Sequence, residues 1–129
     1  MRVGNNYKYS MDLIFKIEKD KTKEQVIVEV TSQLELIKDI ELAKKINSYL
    51  IEPTLHLIIW DYSEKGTKFP GWLIIKSEIN DTGILYSEYG FSTGNWGLIK
   101  LSDKKFHFGP DYHWYSTLEE VFLDSWMGE

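Results

Sequence analysis

Residues 71–88 read GWLIIKSEINDTGILYSE, in which two apolar runs stand on either side of the turn-forming residues INDTG. Apolar runs of this length, bounded by Asn, Asp and Gly, are typical of β-strands joined by a tight turn. The same pattern extends in both directions, with LHLIIWDY before it and NWGLIKL and KFHFG after it. Because the breaks between these runs are short, the sequence predicts an antiparallel meander.

The first part of the chain also alternates between apolar and charged residues. Two runs with a period of two flank the charged connector KDKTKE, and this arrangement predicts a hairpin. The apolar positions of the alternation are Leu13, Phe15, Ile17, Val26, Val28 and Val30.

A helix pattern follows this hairpin. Ser32 and Glu35 form a capping box, S-x-x-E, which predicts a helix that starts at Gln33 and runs to about residue 50. Pro53 is expected to end it, because the residue before a proline is pushed out of the helical region. One face of this helix is apolar, through Leu36, Ile40, Ala43, Ile46 and Leu50.

The chain closes with a second helix pattern, YSTLEEVFLDSWMGE. Ser116 and Glu119 repeat the capping box, and an apolar stripe predicts a helix over about residues 117–126. The predicted fold class is therefore α+β: an antiparallel β-sheet meander of five to seven strands, with one helix after the first hairpin and one C-terminal helix.

Length and composition limit the class of protein. A chain of 129 residues is the size of one domain, so residues 1–129 are expected to form a single domain. The absence of cysteine excludes disulfides, thiolate nucleophiles and cysteine-ligated metals. No apolar run has the length of a secretory signal or a membrane span, which predicts a cytoplasmic protein without a membrane partner.

The negative charge is concentrated in the second part of the chain. Residues 1–50 carry nine basic and eight acidic side chains, whereas residues 51–129 carry six basic and twelve acidic ones. An acidic surface repels phosphate backbones, so direct binding of nucleic acid is not expected. A basic protein partner remains compatible with this charge.

Two of the three histidines fall in the stretch KFHFGPDYHW, residues 105–114. His107, Asp111 and His113 are of ligand types that suit zinc, and they define one alternative, a small metal-dependent hydrolase. Their spacing matches no established motif, so we expect no bound metal, no cofactor and no catalysis. His56 shares a strand face with Ile58 and Trp60, which favours a half-buried structural histidine over a general base.

The strand region is also rich in tryptophan and tyrosine interleaved with carboxylates. Aromatic residues anchor protein interfaces, and carboxylates steer a basic partner towards them. The sequence therefore predicts a partner-binding face. Its predicted members are Asp61, Glu78, Asp81, Glu88, Trp96, Asp103, Asp111, Tyr112 and Trp114.

Three stretches, FPGWLIIKSE, NWGLIKLSDKKFHFG and STLEEVFLDSW, resemble the closing half of the small immunity proteins that bacteria pair with polymorphic or contact-dependent toxins. The shared features are a Gly-Trp that opens a strand, a later tryptophan strand, a charged turn into Lys-Phe-x-Gly, here interrupted by His107, and a Leu-Glu-Glu helix ending in an aromatic residue. The matching positions are Gly71, Trp72, Trp96, Lys105, Phe106, Leu118, Glu119, Glu120 and Trp126.

The resemblance covers roughly the last 60 residues. It implies a protein of bacterial competition that binds one cognate toxin domain, often a nuclease, and occludes its active site without being an enzyme. Besides the hydrolase, a further alternative stays open: an adaptor or phage-encoded inhibitor of another host protein.

Overall fold

The computed structural model describes residues 21–60, 68–88, 94–102, 106–108 and 113–128. The predicted strand around Phe15 lies outside these residues, and the extent of the single domain stays a prediction. Within the described residues, no helix combines the length and the apolar composition needed to cross a membrane.

The described residues form a mixed α+β structure, which confirms the predicted fold class. The helices are α1 (Lys23–Leu36), α2 (Ile40–Tyr49) and α3 (Leu118–Leu123), followed by a 3-10 turn (Trp126–Gly128). The strands are β1 (Leu50–Trp60), β2 (Lys68–Ser77), β3 (Thr82–Tyr86), β4 (Trp96–Lys100), β5 (Phe106–Phe108) and β6 (His113–Tyr115).

The six strands form one sheet in the order β5-β1-β2-β3-β4-β6. Strands β1 to β4 form the predicted antiparallel meander. The expectation that the meander continues into KFHFG is wrong, because β5 crosses to the far edge and pairs in parallel with β1. The edge of β4 is taken instead by β6, which pairs Trp114 with Gly97 and lays the indole ring over the glycine.

Helix α1 replaces the predicted second strand of the hairpin. Thr22 caps it through a capping box with Gln25, whose side chain accepts the Thr22 N–H at 2.8 Å. Val26 and Val30 are buried, whereas Val28 is 63% exposed. The valine alternation is misleading because residues four apart also share one face of a helix, and the structure uses that spacing.

The predicted single helix over residues 33–50 is instead two helices. Ser32 lies inside α1. This helix ends at Leu36, and the residue that follows, Ile37, is buried. Asp39 then caps α2 by accepting the Leu42 N–H at 3.1 Å. Pro53 does not end a helix: it is buried within β1, where the pairing register with β2 shifts.

The C-terminal helix is confirmed as α3, although its cap lies one residue later than predicted. Thr117 is the N-cap and accepts the Glu120 N–H at 3.1 Å. Ser116 supports the cap by donating its hydroxyl to Glu120 Oε1 at 2.7 Å. At the other end of α3, the Tyr115 hydroxyl donates to the Asp124 carboxylate. Burial and this bond raise the pKa of Tyr115 to about 12.

The helices cover one face of the sheet and form the main core with it. Phe122 of α3 is fully buried, and its ring centroid lies 5.6 Å from that of Tyr49. The other buried members of this cluster are Val26, Val30, Ile37, Ile46, Ile74, Ile75, Ile84, Tyr86, Trp96, Leu118, Val121 and Met127. On the opposite face, Leu73, Leu85 and Ile99 are also buried.

Candidate functional site

The turn between β2 and β3, residues 78–81, is the most prominent feature of the predicted binding face. Asp81 has φ 51°, and its backbone N–H donates to the Glu78 carbonyl at 3.2 Å, which closes the turn. Its carboxylate accepts two hydrogen bonds from Ser102: the backbone N–H at 2.8 Å and the hydroxyl at 2.7 Å. Asp81 therefore ties the turn to the end of β4.

Further hydrogen bonds hold the rest of the turn. Asn80 donates its side-chain amide to Ser77 Oγ at 3.1 Å, and Thr82 donates its hydroxyl to the Asn80 carbonyl at 2.8 Å. The Leu101 N–H donates to the Asp81 carbonyl at 3.2 Å. Because side chains and backbone are both bonded, the turn is fixed relative to the sheet.

Ile79 occupies the tip of this turn and is 98% exposed. Glu78, beside it, is also exposed. Both carboxylates of the turn belong to the predicted partner-binding face, whereas Ile79 was not among its predicted members. The sequence does contain an indication of it: an aliphatic residue stands in the turn-forming stretch INDTG, although a turn that is exposed only to solvent does not require one.

The structure divides the described carboxylates of the predicted face between two places. Glu78 and Asp81 lie together in the turn before β3, whereas Glu88 follows the other end of that strand. Lys21 Nζ lies 3.0 Å from Glu88 Oε2, so this carboxylate forms an ion pair within the chain. Among the described carboxylates of the predicted face, two therefore lie at one end of the sheet, and the third, which is paired with a lysine, lies at the other end.

The two tryptophans of the predicted face have structural roles. Trp96 is only 2% exposed, and its ring centroid lies 4.8 Å from that of Tyr86. Its side chain packs in the core with the helices, so the role of Trp96 in partner binding stays a prediction. Trp114 is partly buried against Gly97, where a β-carbon would lie 2.9 Å from the indole ring.

The remaining predicted positions of the face, Asp61, Asp103, Asp111 and Tyr112, lie outside the described residues. Of the alternative metal site, Asp111 also lies outside the described residues, and His107 belongs to β5. His113 is exposed at the start of β6. Among the residues that the structure describes, no group of three His, Cys, Asp or Glu side chains could hold a metal ion.

A cleft of about 440 Å³ lies beside the turn, on the sheet face that the helices leave uncovered. Its walls include Leu73 and Leu101, together with Glu78 of the turn, Lys76 on β2 and His56 on β1. His56 is half-buried as predicted, and this burial lowers its pKa below 6.5. The imidazole is therefore mostly neutral at neutral pH.

A second groove, of about 360 Å³, runs between α1 and the start of β1. Its lining is largely apolar and includes Ile27, Leu34, Ile51 and Pro53, with Glu52 as its ionisable residue. Lys23 Nζ lies 3.4 Å from Glu52 Oε1 at the rim. This groove could not be predicted from a pattern that places part of α1 in a strand.

Comparison of the chain with protein-family models, with curated proteins and with solved structures finds no match.

Proposed function

We propose that this protein is an immunity-type inhibitor that binds a cognate toxin domain, a nuclease, and occludes its active site. The observation that carries the proposal is the hydrogen-bonded β2–β3 turn, which exposes the Glu78 carboxylate at one end of the sheet and holds the partly exposed Asp81 carboxylate beside it, against Ser102. The proposed protein acts in the bacterial cytoplasm by binding one protein, without a cofactor, a membrane or direct contact with nucleic acid.

Electrostatics supports this proposal. A nuclease binds phosphate in a basic cleft, and carboxylates held at fixed positions can occupy that cleft in place of the nucleic acid. A fixed turn also loses little conformational entropy when it binds. The negative charge of residues 51–129 adds long-range attraction towards a basic partner.

Two lysines lie on the strands near the turn, and Lys76 lines the same cleft as Glu78. Lys76 pairs with Gly83, and Lys100 pairs with Thr82. Because Thr82 and Gly83 are consecutive residues of β3, the two lysines point to opposite faces of the sheet. A partner that approaches end-on therefore meets the exposed Glu78 in the turn before it reaches the two lysines, which lie on the strands behind the turn.

Co-expression tests this function. The product of the gene next to the one for this chain is expected to be toxic alone and harmless when the two are expressed together. Glu78→Lys is expected to slow association of the purified proteins on the order of 3- to 10-fold at low salt, because charges at the edge of an interface act mainly on the association rate.

Glu35→Lys is the matched control, since Glu35 is an exposed carboxylate on α1, in the helix layer rather than in the turn. Its association rate should stay close to that of the parent. The proposal fails if the neighbouring product is harmless alone, or if Glu78→Lys associates as fast as Glu35→Lys at every salt concentration.

A further inference from the structure

Ile79 is the most exposed large apolar side chain among the described residues, at 98%, compared with 70% for Leu36 and 68% for Ile40. A single exposed aliphatic residue is ordinary on a protein surface. The position of Ile79 is distinctive because the hydrogen bond from the Asp81 N–H to the Glu78 carbonyl, at 3.2 Å, closes the turn around it. Asn80 and Asp81 follow it with side-chain hydrogen bonds to Ser77 and Ser102.

The turn also contains a backbone conformation that most residues other than glycine avoid. Asp81 adopts φ 51°, the left-handed region in which glycine or asparagine is more relaxed. Glycine would relieve this conformation but would lose both bonds to Ser102. Aspartate at position 81 therefore keeps the two hydrogen bonds to Ser102 at the cost of a less relaxed backbone. These bonds hold the main chain of Ile79 in one place.

From this geometry we infer that Ile79 is the anchor of the interface: it inserts into an aliphatic pocket on the partner, while Glu78 and Asp81 contact a basic rim around that pocket. This inference rests on the proposed function and adds the chemistry of the partner's surface. Anchors of this kind are rigid, central and dehydrated on binding, and carboxylates around them exclude mismatched partners. The charges then act mainly on the rate of association, and the isoleucine acts on the lifetime of the complex.

The test measures binding of purified variants to the purified product of the neighbouring gene. Ile79→Ser is expected to weaken Kd about 30-fold or more, almost entirely through faster dissociation. Ile79→Leu should stay within about 3-fold of the parent, because it keeps the aliphatic volume. The salt dependence of association should be unchanged in Ile79→Ser and reduced in Glu78→Lys.

Ile40→Ser is the matched control, because Ile40 is an equally aliphatic, exposed residue at the start of α2. It should bind like the parent. Thermal unfolding of Ile79→Ser should also match that of the parent, since a side chain that is already in solvent contributes little to stability. A loss of binding in this variant then reports the interface and not the fold.

The outcomes separate the anchor from the function on which it rests. If the parent binds and protects while Ile79→Ser does both equally well, the anchor is refuted and the proposed function stands. If Ile40→Ser loses as much affinity as Ile79→Ser, general surface hydrophobicity explains the binding and the anchor is again refuted. If the parent neither binds nor protects, the proposed function fails and the anchor with it.

Discussion

His56 carries the clearest pH dependence at the scale of single residues. Burial holds its pKa below 6.5, so the folded protein binds this proton more weakly than the unfolded chain does. Its contribution to stability is therefore complete above pH 6.5 and is lost as the pH falls through the lowered folded-state pKa. We expect His56→Gln to flatten this part of the stability profile, as measured by urea unfolding between about pH 5 and 8.

The comparison is made with His113→Gln, which removes an exposed histidine at the start of β6. The change in pH slope should be larger for His56→Gln than for this variant, because His56 is the more buried of the two residues. Equal slopes for the parent and His56→Gln would show that the burial of His56 has no energetic consequence.

Gly97 shows the steric limit of the sheet at a single position. A β-carbon here would lie 2.9 Å from two atoms of the Trp114 ring. Gly97→Ala is therefore expected to displace the indole and to destabilise the protein by about 1 to 3 kcal/mol. Urea unfolding measures the loss, and a shift in tryptophan emission should accompany it. A fully stable Gly97→Ala protein would contradict the close packing of β6 on β4.

At the scale of elements, the short helix α3 depends on its cap. Thr117 accepts the Glu120 N–H, and hydrogen bonds from Ser116 and Thr117 also lower the pKa of Glu120. Thr117→Ala should cost about 1 kcal/mol in the free energy of unfolding. Ser116→Ala is the control and should cost about 0.5 kcal/mol or less, because Ser116 is exposed and only supports the cap. The prediction is wrong if the two variants lose equal stability in chemical denaturation.

The strands were more predictable than the helices. From residue 50 onward the apolar runs and turn residues predict the meander, because both are local signals. The positions of the helices in the first half of the chain depend instead on which residues pack against the core, and this is not a local property. Val26 and Val30 fit a strand alternation and a helix face equally well, and the contact with the sheet selects the helix. Ser32 resembles a cap, yet Thr22 and Asp39 perform that role.

At the scale of the whole molecule, the helices and the sheet share one core, and we expect them to unfold together. Phe122 is fully buried against Tyr49, so Phe122→Ala should destabilise the protein by about 3 to 5 kcal/mol. Far-UV circular dichroism and tryptophan fluorescence should shift to the same new denaturation midpoint. Separate midpoints for the two signals would contradict the single domain predicted from the chain length.

The candidate site could be predicted only in part. Charge and turn chemistry identified Glu78 and Asp81, because carboxylates in a turn remain at the surface in almost any fold. Trp96 could not be placed, since residue type does not reveal which face of a strand meets the helices. The exposed position of Ile79 on a fixed turn could not be predicted, because the turn is held by hydrogen bonds between Asp81 and Ser102, which are 21 residues apart in sequence.

The parallel pairing of β5 with β1 has a consequence for the folding pathway. Strands β1 to β4 each pair with the strand that follows in sequence, so their contacts are local. Strand β5 instead pairs with β1 at the opposite edge of the sheet from β4, beside Ile58. Pairing β5 with β1 brings together Ile58 and Phe106, which are far apart in sequence, and the entropy cost of closing that loop comes before its contacts are gained. We therefore expect this pairing to form after the rate-limiting barrier. Weakening β3, as with Ile84→Val, should therefore slow folding, whereas a glycine placed in β5 should mainly speed unfolding. Stopped-flow kinetics measures both rates. The edge strand β5 is expected to control the unfolding rate, and so the lifetime of the native state, rather than the folding rate.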